Sequence, residues 1–360
     1  MTVLVTGASG LVGSEVVARL LSAGHEVVAL VHRVENLIGN NGRPLHAPEG
    51  RLRLIKGDVT RPDLGLDRPE WTNLAGGVDR IVHCAAITDF GRTEQLYQQV
   101  NVAGTQHVIE LARERSTPLV HVGTAYVCGE RSGTIAASEL DLGQRMGNHY
   151  EESKLRAETL VRKAGADGLP VAVVRPSIVV GAARTGVVRD FKNIYVVLKL
   201  TTQGRVRSVP GHFDAMLDLV PVDHVADVVA QTVDRFTEAE GRTFHAVGGG
   251  LSLRDFSDVL AEFPSFHVPR FVVPSAFDPQ RLPEGERAYY DKVVQLYESY
   301  FRRRITFDRT ETERFMPVKP PATGQAFLRR LLEYALRAGY LGASLPGVDQ
   351  VLAELRNRGN

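Results

Sequence analysis

A chain of 360 residues, 43% hydrophobic and 24% charged, is long enough to bury a large core, either as one α/β unit or as a core domain with a smaller companion. Its formal net charge of +1 gives no electrostatic reason to expect nucleic acid or an anionic membrane as a partner. No apolar run approaches bilayer length, and a strand begins almost at residue 1 and leaves no room for a signal peptide, so the expected location is cytoplasmic.

Met1 to Val5 reads as a short buried strand, and Ser14 to Leu21 has the apolar spacing of a helix. Between them lies Thr6-Gly7-Ala8-Ser9-Gly10-Leu11-Val12-Gly13. In this order of strand, turn and helix each glycine has a use. Gly7 permits the tight turn, Gly10 lets backbone approach a pyrophosphate, and Gly13 lets helix and strand pack closely. The free N–H groups at the helix start would hold the phosphates, so Gly7, Ser9, Gly10, Leu11, Val12 and Gly13 are the expected dinucleotide contacts.

His25 to Val31 predicts a second strand ending at His32-Arg33. An acid at this place suits the ribose 2′-hydroxyl of NAD and a base suits the 2′-phosphate of NADP, so NADPH is expected ahead of NADH. Residues 36 to 50 read as a loop rich in Gly, Asn and Pro. Leu52 to Gly57 is a third strand leading to Asp58-Val59, and Asp79 to Ala86 is a fourth whose small end, Cys84-Ala85-Ala86, lets a cofactor lie close. Both cysteines, Cys84 and Cys128, sit in apolar segments and read as reduced, buried thiols. Asn101 opens a helical run, and Pro118 to Thr124 is a fifth strand ending on a hydroxyl.

Strands alternating with helices imply right-handed crossovers and a parallel sheet, with ligands bound beyond the carboxyl ends of the strands. Asn148 to Leu160 is strongly helical and carries Tyr150 and Lys154, four apart and therefore on one face. The same spacing recurs at Tyr195 and Lys199. That pair comes after the sixth strand, too late to face the cofactor, and reads as packing with a surface charge. The sixth strand is Val171 to Gly181; an irregular stretch to Pro210 follows, with a basic cluster at Arg205 and Arg207. Leu217 to Ala226 returns to the core with Asp223 as the expected helix cap, and Thr243 to Val247 is a seventh strand. Tyr289 to Arg304 and Gly324 to Tyr340 carry apolar stripes at helical spacing.

The expected architecture is α/β, a Rossmann-type doubly wound parallel sheet in residues 1–181 and 214–247. Residues 182–213 and 248–360 form a smaller, mainly helical substrate-binding subdomain that closes over the cleft.

In order along the chain, Thr6 to Gly13, Asp58-Val59, Cys84-Ala85-Ala86, Asn101, Thr124, Tyr150 with Lys154, and Arg175-Pro176-Ser177 make residues 1 to about 250 resemble the extended short-chain dehydrogenases/reductases. His83 to Phe90, His121 to Val127, Asn148 to Lys154, Arg175 to Gly181 with Arg184-Thr185-Gly186, and Leu217 to Asp223 are similar to the branch of fatty acyl-CoA reductases and thioester-reductase domains. Ala182-Ala183, where that branch has a polar pair, and Gly123, where it has serine, depart from its pattern.

The resemblance implies an NADPH-dependent oxidoreductase with Tyr150 as the acid, Lys154 holding the nicotinamide ribose and lowering the tyrosine pKa, and Thr124 donating to the developing oxyanion. Asn101 supports Lys154 through a water relay or shapes the local helix. Pro176 and Ser177 join the cofactor contacts, and no metal is involved. The expected substrate is an acyl thioester, CoA- or carrier-bound, reduced to aldehyde or alcohol, with any carrier protein supplied in trans; a homodimer is compatible with the sequence. A ketone or aldehyde reductase of a small hydrophobic metabolite would use the same residues. A sugar-nucleotide epimerase or dehydratase is disfavoured by Met216-Leu217-Asp218-Leu219, which stands where those enzymes carry an Arg-Asp-Phe-like segment.

Overall fold

A computed structural model describes residues 1–342 apart from positions 35 and 318, so the last 18 residues assigned above to the substrate subdomain lie outside the described residues. Seven parallel strands form the central sheet: β1 (Thr2–Thr6), β2 (Glu26–Val31), β3 (Leu52–Lys56), β4 (Arg80–His83), β5 (Leu119–Val122), β6 (Val171–Pro176) and β7 (Thr243–Ala246). Their spatial order is β7-β6-β5-β4-β1-β2-β3. The chain therefore runs outward one way from β1 and the other way from β4. The crevice opens where the direction reverses, between the carboxyl ends of β1 and β4. These central strands are nearly continuous apolar runs because both faces are covered.

On one face α1 (Leu11–Ser22) and α6 (Val222–Asp234) enclose a core that includes Val5, Val17, Val120, Val225 and Val229. The opposite face is covered by α2 (Arg68–Gly77), α3 (Gly104–Arg113) and α4 (His149–Ala166) around Leu4, Trp71, Ile81, Ile109 and Val161. A third cluster lies above the carboxyl ends of the strands. It joins Tyr126 and Ile135 to α5 (Ile194–Thr202), α7 (Leu253–Ala261), α8 (Glu284–Lys292) and α9 (Gln325–Arg337). On α9, Phe327, Leu331 and Ala335 face this core, as their spacing predicts.

Three local expectations change. The sixth strand is broken at Ser177: β6 ends at Pro176, and Ile178–Val180 leaves the main sheet to pair in parallel with Leu219–Pro221. Asp223 is not a helix cap, because α6 starts one residue earlier after Pro221. Its carboxylate instead accepts from the N–H of Ala183 at 3.0 and 3.1 Å, fixing the start of the 182–193 segment. The Tyr289 to Arg304 stretch is α8 followed by a 3-10 segment, Val294–Phe301. Beyond it Ile305–Phe307 pairs with Gly133–Ile135 rather than continuing as helix.

Candidate active site

The Gly-rich turn has the predicted form. Gly7 adopts φ +66°, and a Cβ there would lie 2.5 Å from the N of Ala85, so the turn and the end of β4 touch backbone to backbone. At Gly13 a Cβ would meet the Gly7 carbonyl oxygen at 2.1 Å, so the glycine lets the helix start close against the turn. The first helical bond of α1 runs from Ser14 N–H to the Gly10 carbonyl. Among the described residues no backbone acceptor takes the N–H groups of Leu11, Val12 and Gly13, and α1 has no acid in its first turn. Those free donors and the positive end of α1 border a cavity of about 360 Å³ and fit the pyrophosphate of a nicotinamide dinucleotide.

Along the same cavity stand Ser9, Cys84, Ala86, Thr124, Tyr150, Lys154, Pro176 and Ser177, which the sequence places on five separate elements. Tyr150 and Lys154 lie one turn apart near the start of α4, where Asn148 caps the helix by accepting from Glu151 N–H at 2.9 Å. Thr124 directly follows β5. Its hydroxyl donates to the Pro176 carbonyl at 3.3 Å and accepts from Tyr126 N–H at 3.3 Å, so it caps the next 3-10 turn while facing the cavity.

Five expected cofactor residues stand off the cavity wall: Ala85, and His32, Arg33, Asp58 and Val59 beyond the ends of β2 and β3. His32 and Arg33 are exposed, and the His32 ring lies 3.7 Å from the Asp58 carboxylate. Ala85 backs Gly7. Asn101 is fully buried in a π-helical turn, Gln98–Ala103. Its side chain accepts from Ile87 N–H at 2.8 Å and donates to the Ile87 carbonyl at 3.1 Å and to Ser153 Oγ at 2.9 Å. Of its two expected roles the direct contacts serve the second: it clamps the segment after β4 to α4.

Burial governs the titrating groups. It pushes the Tyr150 hydroxyl above the ordinary tyrosine range, and the neighbouring Thr124 hydroxyl only partly offsets this. Lys154 contributes nothing to this shift: its ammonium donates to the Val122 carbonyl at 2.9 Å, and the lowering expected from it together with the charge of oxidised nicotinamide concerns the loaded site. Burial lowers Lys154 itself to about 8, with Glu158 pulling the other way. His83, on the same side, is pushed down to about 3 by burial and by Lys154, so it is neutral and bridges Thr6 (2.7 Å) and Thr105 (3.0 Å). The Cys84 and Cys128 thiols are free and raised by burial to about 12 and about 11, which makes them inert.

Several wall residues carry no local sequence signal. Arg189 reaches back across the Gly-rich turn, donating to the Ser9 carbonyl at 3.0 Å and also to that of Ile38. Asn40 ties the same strap by accepting from Arg189 N–H at 3.0 Å and donating to the Val187 carbonyl at 2.7 Å. Tyr195 is packed, as expected, yet it lines the cavity, with its hydroxyl accepting from Gly181 N–H at 3.0 Å, while Lys199 stacks on Tyr340. Tyr297, Tyr300 and Phe301 come from the stretch whose aromatic spacing reads only as core. Phe90 stacks on Tyr297 at 4.8 Å and lies 5.6 Å from the Tyr150 ring, so the wall beside Tyr150 is aromatic. Arg205 and Arg207 are not on it.

The site is therefore a dinucleotide trough that runs into an aromatic chamber, with a phenol, an ammonium and a hydroxyl at the junction. Among the described residues no cluster of His, Cys, Asp and Glu has the makings of a metal site. The profile of an NAD-binding family described as "Male sterility protein" matches residues 5–229. The chain is 30% identical over 298 residues to the L-2-aminoadipate reductase large subunit of Penicillium chrysogenum, an alignment covering 75% of this chain and 21% of that protein. It is 28% identical over 274 residues to the isonitrile lipopeptide synthase of Streptomyces coeruleorubidus, covering 72% of this chain and 18% of the other. The chain thus spans about a fifth of the length of these relatives. Among solved structures, the terminal R domain from the myxalamid PKS-NRPS biosynthetic pathway superposes with a TM-score of 0.80 at 25% identity, over 96% of this chain and 92% of that one.

Proposed function

The chain belongs to the male sterility protein family, within the extended short-chain dehydrogenases/reductases, and on that premise we propose that it reduces an acyl thioester with NADPH. The observation that carries this reading is the meeting of the pyrophosphate-fitting turn with Thr124, Tyr150 and Lys154 around one cavity whose far wall is apolar and aromatic. A reduced nicotinamide dinucleotide in the trough supplies the hydride. Tyr150 gives its phenolic proton to the carbonyl oxygen as charge builds there, and Thr124 donates a second hydrogen bond to that oxygen. The hemithioacetal so formed on the substrate collapses to an aldehyde and a free thiol; a second round gives the alcohol. Tyr150 is a neutral, protonated phenol at neutral pH, and burial raises its pKa further, so its proton is present to be given.

The thioester arrives on CoA or on a carrier protein. No described helix is long and apolar enough to cross a membrane, in keeping with a cytoplasmic enzyme that meets its substrate in solution. The test is a panel of acyl-CoA, carrier-bound acyl thioester, aldehyde, ketone and UDP-sugar substrates, followed by NADPH absorbance. Consumption with aldehydes and ketones but with no thioester rules out this substrate class while sparing the oxidoreductase.

NADPH preference rests on Arg33 beyond β2. Replacing Arg33 with Ala should weaken NADPH binding by roughly tenfold, the value of one charge-assisted contact, and leave NADH affinity nearly the same. An equal change for both dinucleotides, measured by fluorescence titration, would remove the assignment. Lys154 gives a pH signature. Its pKa of about 8 lies below the ordinary lysine value, so its charge is present at neutral pH and is lost as pH rises through about 8. Cofactor affinity should then fall roughly tenfold between about pH 7 and about pH 9, and Lys154→Met should flatten that slope.

A further inference from the structure

Tyr126 is buried, with 3% of its surface exposed, and lines the aromatic chamber. It packs against Tyr300 at 4.6 Å between ring centres and edge-on to Phe307 at 5.5 Å. Among the described residues its hydroxyl donates to no acceptor, although the Asp218 backbone lies close to it. Three other tyrosines of the fold are paired: Tyr97 donates to the Asp89 carbonyl at 2.6 Å, Tyr290 to Glu298 at 2.6 Å, and Tyr195 accepts from Gly181 N–H. A buried hydroxyl without a partner costs the fold free energy that phenylalanine at the same place would spare. Tyr126 lines the same cavity as Ser177, Leu217, Tyr300 and Phe301, so its unpaired donor sits at the chamber wall, where a small side-chain adjustment would present it to a ligand.

We propose that the Tyr126 hydroxyl selects the substrate by donating to a neutral oxygen on the acyl group, close to the carbonyl that Tyr150 and Thr124 address. This inference rests on the reductase reading and specifies its substrate class. The acceptor is neutral because the nearby Asp218 carboxylate repels an anion. Asp218 is itself buried and held by Ser177 Oγ at 2.5 Å and Gly248 N–H at 2.6 Å. Arg303 gives only its Nη2 to Glu151; its Nε and Nη1, beside the Tyr126 and Tyr300 rings, have no partner among the described residues and could add a donor to the same uncharged oxygen. Phe90, Tyr297 and Tyr300 leave the rest of the acyl group an apolar surface. The class is therefore an apolar acyl thioester carrying one uncharged oxygen acceptor, either the amide carbonyl of a peptidyl chain or the 3-oxygen of a 3-hydroxyacyl chain.

The experiment compares matched substrates in wild type and Tyr126→Phe: octanoyl-CoA, 3-hydroxyoctanoyl-CoA and an N-acylglycyl-CoA of similar length. The wild type should prefer one acceptor-bearing thioester over octanoyl-CoA by about tenfold in kcat/KM, mostly through KM, and the variant should lose that preference. Which partner shows the preference distinguishes peptidyl from hydroxyacyl chemistry. A preference that survives in the variant, or that is missing in the wild type, overturns the proposal. Calorimetric binding of octane-1,3-diol against octan-1-ol provides a readout without turnover. If no thioester is reduced, the reductase reading of the substrate fails. A diol preference that is present in wild type and lost in Tyr126→Phe would still uphold the acceptor site, and its absence would reject it.

Discussion

Tyr150→Phe should lower kcat by about two to four orders of magnitude while cofactor binding remains measurable. The substitution removes one oxygen from the junction of trough and chamber and keeps the ring that packs against Phe90 at 5.6 Å and Tyr97 at 6.4 Å. The carbonyl oxygen then has only Thr124 to donate to it and no group to protonate it. Lys154 is a poor substitute, because its ammonium is bonded to the Val122 carbonyl. The measurement is single-turnover NADPH oxidation together with fluorescence titration of the cofactor. Retention of more than about a tenth of the wild-type rate would show that the proton comes from elsewhere.

Arg303→Met should cost about 3–5 kcal/mol of stability, a fall of several degrees in melting temperature for a chain of this size. Arg303 is 4% exposed, and its Nη2 donates to both oxygens of the fully buried Glu151 at 2.8 and 2.9 Å and to Ser299 Oγ at 3.0 Å. Its guanidinium lies over the Tyr300 ring at 4.6 Å. Methionine would keep the packing and leave the Glu151 carboxylate buried without its cation. That uncompensated charge is the source of the loss, so Arg303→Met combined with Glu151→Gln should regain part of it. Because Glu151 follows Tyr150 on α4, the single variant should also reduce turnover. A melting temperature within a degree of wild type would refute the account. An additive double variant would refute the coupling.

The parallel strands and the cofactor turn were legible because their causes are local. A glycine needed for φ +66° at Gly7, a run of β-branched residues in β2, and tyrosine and lysine one helical turn apart all announce themselves within a few positions. The chamber was not legible for the opposite reason. Tyr126, Tyr195 and Tyr300 come together from segments far apart in the chain, and an aromatic residue in a core stripe has the same spacing whether its neighbour is another side chain or a ligand. Arg189 is similar: nothing around it in the sequence marks an arginine that latches onto the carbonyls of Ser9 and Ile38. Asp223 illustrates a subtler failure. Its place before an apolar helix is that of a cap, and only the fold brings Ala183 N–H to it. The direction of the Tyr150 shift also required coordinates, because the Lys154 spacing gives proximity along a helix but not where the ammonium points.

The pairing of Ile305–Phe307 with Gly133–Ile135 bears on how the molecule is made. Thr134 and Thr306 share a hydrogen bond across 172 positions of chain, whereas the bonds that set β1 beside β2 join residues about two dozen apart. Closing so long a loop costs entropy that the small three-residue ladder cannot offset alone. The expected order is that this ladder joins after the sheet beneath it, which pulsed hydrogen exchange during refolding would check by later protection of Ile305–Phe307 than of β1 and β2. During synthesis, a nascent chain ending short of residue 300 would hold all seven strands of the sheet and still leave Tyr126, and the aromatic wall beside it, open to water.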